Sequence, residues 1–159
     1  MNIKQALYDF LTSDDVTLST LRDEARQRVR ELVGAAIFNT RRPVGTPSVA
    51  ITLARASGFV ANGLLAPTGI EQPVIDFTVW SRSIPGAEQT ADDLFTALKT
   101  LFNQYRGPLN DSITVQAIHL ETEPFDRPIA PIDSSDGWRT QTTFSFQVGY
   151  AVNAPAEVG

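Results

Sequence analysis

Residues 74–107 read VIDFTVWSRSIPGAEQTADDLFTALKTLFNQYRG, and the period of their apolar positions changes part-way. From Val74 to Ser81, Ile75, Phe77 and Val79 alternate with Asp76, Thr78 and Trp80, the two-residue period of a strand. Pro85-Gly86 breaks that pattern. Beyond it Leu94, Leu98, Leu101, Phe102 and Tyr105 recur at i, i+4, i+7, i+8 and i+11, which sets them on one helix face. Thr90 with Asp93 resembles a capping box, with Asp in place of the usual Glu or Gln. Gly107-Pro108 supplies a stop signal. A half-buried strand followed by an amphipathic helix predicts a sheet with that helix packed on one face.

Downstream, Ser112 to Glu121 reads as a third strand, apolar on both faces near its end. Glu123 to Gly137 reads as a loop with three prolines and a Ser-Ser-Asp-Gly tip. Trp138 to Val152 is the longest predicted strand, with Phe144, Phe146, Val148 and Tyr150 inward and Thr143, Ser145 and Gln147 outward. Upstream, Ile3, Ala6, Leu7, Phe10 and Leu11 form one stripe on a short helix. Leu18 to Ala36 repeats that spacing through Leu21, Ala25, Val29, Leu32 and Val33, with Thr20 as the expected cap and Asp23 and Glu24 near the positive end of the dipole. Asn39 to Pro47 is turn-rich, and Ser48 to Ala56 alternates Val49, Ile51 and Leu53 against small residues, as a strand does. Gly58 to Pro73 reads as a long loop, unusually apolar through Phe59, Val60, Leu64, Leu65 and Ile70. Either a partner covers it or it folds onto its own core.

The order helix, helix, strand, strand, helix, strand, strand indicates an α+β fold: a small antiparallel or mixed sheet, an amphipathic helix on one face, and N-terminal helices. No repeat or linker divides the chain, so residues 1–152 are expected to form a single domain and 153–159 a flexible tail.

Composition narrows the function classes. The chain has 159 residues, of which 42% are hydrophobic and 19% charged, and no cysteine. Disulfide frameworks, thiol nucleophiles and thiolate metal sites are therefore excluded. The N-terminal residues lack the pattern of a signal peptide, and no apolar run approaches the roughly 20 residues that cross a bilayer. Eighteen acidic residues outnumber thirteen basic ones, for a net charge of −5. Duplex-binding domains ordinarily carry the opposite sign. Arg22, Arg26, Arg28 and Arg30 cluster, but Asp23, Glu24 and Glu31 interleave them, as on a solvated helix face with ion pairs.

A search for chemistry finds no anchoring motif. His119, the one histidine, shares its expected strand face with Ile113, Val115 and Ala117 and reads as a partly buried strand residue. Asp92 and Asp93 fall in the expected first turn of a helix, where carboxylates stabilise the dipole. Asp133 and Asp136 lack the spaced ligands of a calcium loop. Gly58, Gly63 and Gly69 make no phosphate cradle. Trp80 and Trp138 suit cross-strand packing or a subunit contact better than base stacking. No catalytic residue, cofactor or metal is expected.

The ordered features resemble the tail-completion, or tail-terminator, proteins of tailed bacteriophages. The resemblance runs from a short helix in an ALYDFL setting through Ile37-Phe38-Asn39-Thr40-Arg41-Arg42-Pro43 and the strand Pro47 to Ile51. It continues with Ile75 to Arg82, a helix ending Tyr105-Arg106-Gly107, Ile113 to Ile118, and a final aromatic-alternating strand. It covers Asn2 to Tyr150. The second helix and the Gly58–Pro73 loop are longer than usual for that family.

The resemblance implies a non-enzymatic virion protein of the tail or neck, made in the host cytoplasm, that closes as a homohexameric ring on the tail tube. Its implied partners are further copies of itself, the tail tube protein and the head-completion or connector protein. Six copies at −5 each would carry −30, so DNA would pass the lumen without sticking. Interface residues are expected at Arg41 and Arg42 in the turn, Phe59, Leu64 and Leu65 in the apolar loop, and Phe125, Arg127 and Ile129 in the second loop. The alternatives are another neck component (a head-closure or connector protein) and, from a different class, a small nucleic-acid-binding regulatory protein.

Overall fold

The final strand, β8 (Thr140–Ala151), is the spine of the sheet, because three other strands pair with it. In the computed structural model, which describes residues 3–39, 43, 45, 47–57, 60–62, 67–82, 85–129 and 137–151, β5 (Val74–Ser81) and β4 (Pro67–Glu71) follow one another along one edge of β8. β7 (Thr114–Pro128) takes the other edge. Outside β5 lies β2 (Val49–Ser57), antiparallel, and outside β2 lies β1 (Ile37–Asn39), parallel. β3 (Val60–Asn62) pairs with β4, and β6 (Gly107–Pro108) with β7. The sheet thus has eight strands and, with helices α1 (Ile3–Thr12), α2 (Thr20–Val33) and α3 (Ala87–Phe102), the fold is α+β.

The helices pack over one face of the sheet, around an aromatic centre. Phe77 of β5 is buried, with its ring stacked on Phe144 at 5.9 Å and edge-on to Phe146 at 5.6 Å. Phe102 of α3 tilts against Phe77 at 5.7 Å and against Phe10 of α1 at 5.6 Å. The apolar stripes expected for α1 and α3 are buried there. That of α2 is buried in part: Leu21 is 67% exposed, because the buried side of α2 runs through Ala25, Arg26, Val29 and Val33 instead.

The arginine cluster is not a solvated face. Arg26 is 2% exposed, lies over the Phe10 ring at 5.6 Å and pairs with Asp23 at 3.1 Å. Arg30 donates to the carbonyls of Leu11 (2.8 Å) and Ser13 (2.7 Å) and to Asp14 (2.6 Å). Arg22 donates to the carbonyls of Leu101 (3.3 Å) and Asn103 (3.4 Å). α2 therefore carries cations to the C-terminal ends of α1 and α3, where carbonyls lack helical partners and the dipole is negative. Arg30, ahead of Arg26, holds the Asp14 carboxyl below its usual range. Only Arg28, half-exposed and paired with Glu31 and Asp93, matches the expected surface role.

Several boundaries differ from expectation. Ser19, not Thr20, caps α2, its hydroxyl accepting from the Arg22 amide. α3 begins at Ala87 behind Gly86, which has φ +84° and no side-chain cap. Thr90 instead donates its hydroxyl to the Gly86 carbonyl, so Thr90 and Asp93 form no capping box, and Asp92 and Asp93 sit past the first turn. α3 stops at Phe102; Gln104, at φ +63°, turns the chain, and Gly107-Pro108 pairs with β7. The expected Gly58–Pro73 loop contains the β3–β4 hairpin, anchored by a hydrogen bond from the Tyr150 hydroxyl to Glu71 at 2.5 Å. Burial, then Glu71, pushes the Tyr150 phenol up to about 12.

β7 runs on through the expected Glu123–Gly137 loop as far as Pro128. Pairing with β8 holds it, and register shifts between Leu120 and Thr122 and between Thr122 and Phe125 absorb Pro124, which a regular ladder would exclude. A further shift between Val115 and Ala117 changes the facing of the strand, so Val115 and Ile118 are buried while His119 is exposed rather than partly buried. Residues 153–159, expected to form a tail, lie outside the described residues.

Truncating Phe77→Ala should cost about 3–5 kcal/mol, since it removes the ring on which two strands and α3 converge. Arg30→Ala should cost about 1–2 kcal/mol by uncapping α1. Urea unfolding followed by circular dichroism measures both.

Candidate assembly surface

Strand alternation gives the sheet a second face that α1, α2 and α3 do not cover. Two rows cross four strands there: Thr52, Thr78, Thr143 and Phe125, then Ala54, Asp76, Ser145 and Thr122. The flanking row is Ala50, Trp80, Gln141 and Arg127. The middle of this face carries hydroxyls, methyls and one carboxylate. Thr78 and Thr143 share a hydrogen bond across the strands at 3.1 Å, and Trp80 donates its indole N–H to Thr52 at 3.0 Å.

One end of the face closes on a small second core. Trp80 and Trp138 meet edge to face at 6.2 Å over Ala36 and Ala50, with Phe38 and Ile129 packed alongside. The Arg82 guanidinium lies 4.0 Å from the Trp138 ring centre and donates to the carbonyls of Pro47 (2.8 Å) and Gly45 (2.7 Å). Arg82 therefore ties the strand end, the turn before β2 and the approach to β8 together. Gly137 stands against it at φ +89°, where a Cβ would come 2.6 Å from an Arg82 nitrogen. The tryptophans pack across strands, one of the two roles expected of them. The indole N–H of Trp138, fully buried, has no acceptor among the described residues.

Of the expected interface residues, Phe125, Arg127 and Ile129 fall within this region. They lie on or just past β7, not in a loop, and the two-residue period brings all three to the uncovered face. Phe125 is 51% exposed, Arg127 is exposed, and Ile129 is half-buried against the tryptophans. Arg41, Arg42, Phe59, Leu64 and Leu65 lie outside the described residues, as do Asp133 and Asp136. Past Leu120, whose amide is taken by the Asn103 side chain, the outer edge of β7 faces no strand among the described residues.

Asp76 was not singled out from the sequence. It sits half-buried at the middle of the face, with no hydrogen bond or ion pair among the described residues, and burial raises its carboxyl above the usual value. The available signal was the alternation itself, which put a carboxylate beside Thr78 on the polar side of β5.

Elsewhere, a cleft of about 580 Å³ opens between the end of α1 and the β6–β7 turn, lined by Asp9, Asp15, Asn110 and Asp111 among others. The amide of Asn110 is bonded to Asp9 at 3.2 Å. No group of three or more His, Asp or Glu among the described residues is placed to hold a metal ion. No helix among them is long and apolar enough to cross a membrane.

Comparison with known proteins gives a likeness of fold. No protein-family model matches the chain, and no curated protein does. A solved structure described as the virion of a native gene transfer agent (GTA) particle contains a similar chain, with a TM-score of 0.58 at 14% identity, over 94% of each chain. The likeness is one of fold. It extends over nearly the whole of both chains, helices and sheet together.

Asp76→Asn tests the cost of the unpaired carboxylate. Burial holds the folded-state value above that of a free carboxyl, so stability falls as pH rises from the unfolded value through the folded one. In dilute solution at pH 7 the variant should be more stable, by under about 0.5 kcal/mol because solvent screens a half-exposed group. The advantage should vanish below pH 3.8. Thermal unfolding of both proteins across pH measures it.

Proposed function

We propose that this chain is a structural subunit of a tailed-phage-like or gene-transfer-agent-like particle, and that it acts as the tail terminator. In this reading six copies close into a ring on the end of a finished tail tube. The ring stops further tube polymerisation and offers the head-side connector a surface to join. Capping needs no catalytic group: one side of the ring fits the last tube ring, and the other refuses another tube subunit. The partners are other copies of this chain, the tail tube protein and the connector protein, and DNA crosses an acidic lumen without specific binding.

The observation that carries the reading is the fold likeness to a chain of a gene transfer agent virion over 94% of both chains. The ordered resemblance from Asn2 to Tyr150 supports the terminator position within such a particle. A ring requires a head-to-tail interface whose rotation closes. The exposed edge of β7 and the β3–β4 hairpin are the elements best placed for it, since unpaired edges template pairing with another chain.

Particles assembled without this chain should carry tails of irregular length and unjoined heads; uniform tails joined to heads would remove the proposal. Cryo-electron imaging of complete particles should fit a sixfold ring of the chain between tube and connector. A position one tier headward would reassign it as a head-closure or connector protein. Charge reversal at Arg41 and Arg42 should weaken incorporation at least about tenfold while leaving circular dichroism and the unfolding midpoint unchanged.

A further inference from the structure

The sheet face turned away from the helices has Thr143 of β8 at its middle, and two opposite charges are disposed evenly about it. Asp76 stands one strand to one side, on the pair containing Ser145; Arg127 stands one strand to the other side, on the pair containing Gln141. Each is displaced from Thr143 by about 4.8 Å across the strands and about 6.8 Å along them, in opposite senses. A two-fold axis lying in the plane of contact over Thr143 therefore exchanges their positions. Among the described residues neither side chain has a hydrogen bond or ion pair.

We propose that this face is a self-complementary contact between two copies of the chain, with Arg127 of each reaching Asp76 of the other and Phe125 packing beside the axis. The charge pattern selects a second copy over a foreign partner. A foreign basic segment would satisfy Asp76 but leave Arg127 facing a cation, whereas a second copy answers both. The half-buried carboxylate, unpaired in the monomer, gains its counter-charge, and Phe125, 51% exposed in the monomer, leaves water.

Four strands by three rows present roughly 400 Å² per copy, or about 800 Å² in total. That is below the size of a standard specific interface, so the dimer is weak and reversible. The pairing is independent of the ring. It is isologous and closes on itself, while a ring uses head-to-tail contacts through other surfaces. A free dimer of this kind would keep the sheet face out of water before assembly.

Sedimentation velocity of the full chain over a micromolar concentration series tests the pairing. A monomer–dimer equilibrium that weakens with salt is expected. Asp76→Arg and Arg127→Asp should each weaken it at least about tenfold, and the combined Asp76→Arg, Arg127→Asp chain should recover most of the loss. As a second readout, Thr143→Cys puts a thiol on the axis of a chain with no cysteine of its own. A short bis-maleimide should link it into dimers, while Arg28→Cys on the helix side stays monomeric. A chain that remains monomeric throughout, single variants without effect, a charge swap that does not recover, or equal linking at both cysteines would each overturn the proposal. Failure of the ring in particles leaves these outcomes unchanged.

Discussion

The stacking of Phe77 on Phe144 across β5 and β8, with the rings nearly parallel at 4°, is the contact on which the other layers converge. It fixes the register of the two central strands, because a slip of either by one residue would send its ring to the opposite face from the other. With the register fixed, Phe146 and Phe102 find edge and tilted positions against Phe77, and α3 is held by its own aromatic end. The same register lines up Thr78 with Thr143 and Asp76 with Ser145 on the reverse of the sheet. The core and the polar face of the sheet are two sides of one alternation.

A second constraint comes from the helix ends. α1 and α3 finish near α2, and their last carbonyls are answered by Arg30 and Arg22 rather than by glycine caps. This makes α2, which buries little apolar surface of its own, the element that locks the helical layer together. Arg26, buried over Phe10, adds a cation whose terminal nitrogen is matched by Asp23 and Asp14. Four arginines on one helix of an acidic protein are thus explained largely by the dipoles of its neighbours, without any nucleic acid.

The fold is shared with a chain of a gene transfer agent virion at 14% identity, an identity at which packing pattern persists and individual contacts do not. Across such a gap, assembly is best argued from what the surface needs. On the face turned from the helices, Asp76 is half-buried and Phe125 exposed, with few other charges around them, a composition that favours burial against another protein.

The sequence by itself determined the class of the fold and the main elements, because strong periodicities do not depend on neighbours. Ile75, Phe77 and Val79 at period two, and Leu94, Leu98 and Leu101 at helical spacing, can bury only in the ways observed. Tertiary structure alone decided the rest. That β7 continues past Pro124, and that β3 and β4 form a hairpin, depends on pairing with strands distant in sequence, which overrides the local turn signals. The roles of Arg22, Arg26 and Arg30 depend on where α1 and α3 end in space. The placement of Asp76 and Arg127 about Thr143 exists only once β5, β8 and β7 are in register, since a charge relation across three strands has no signature along the chain.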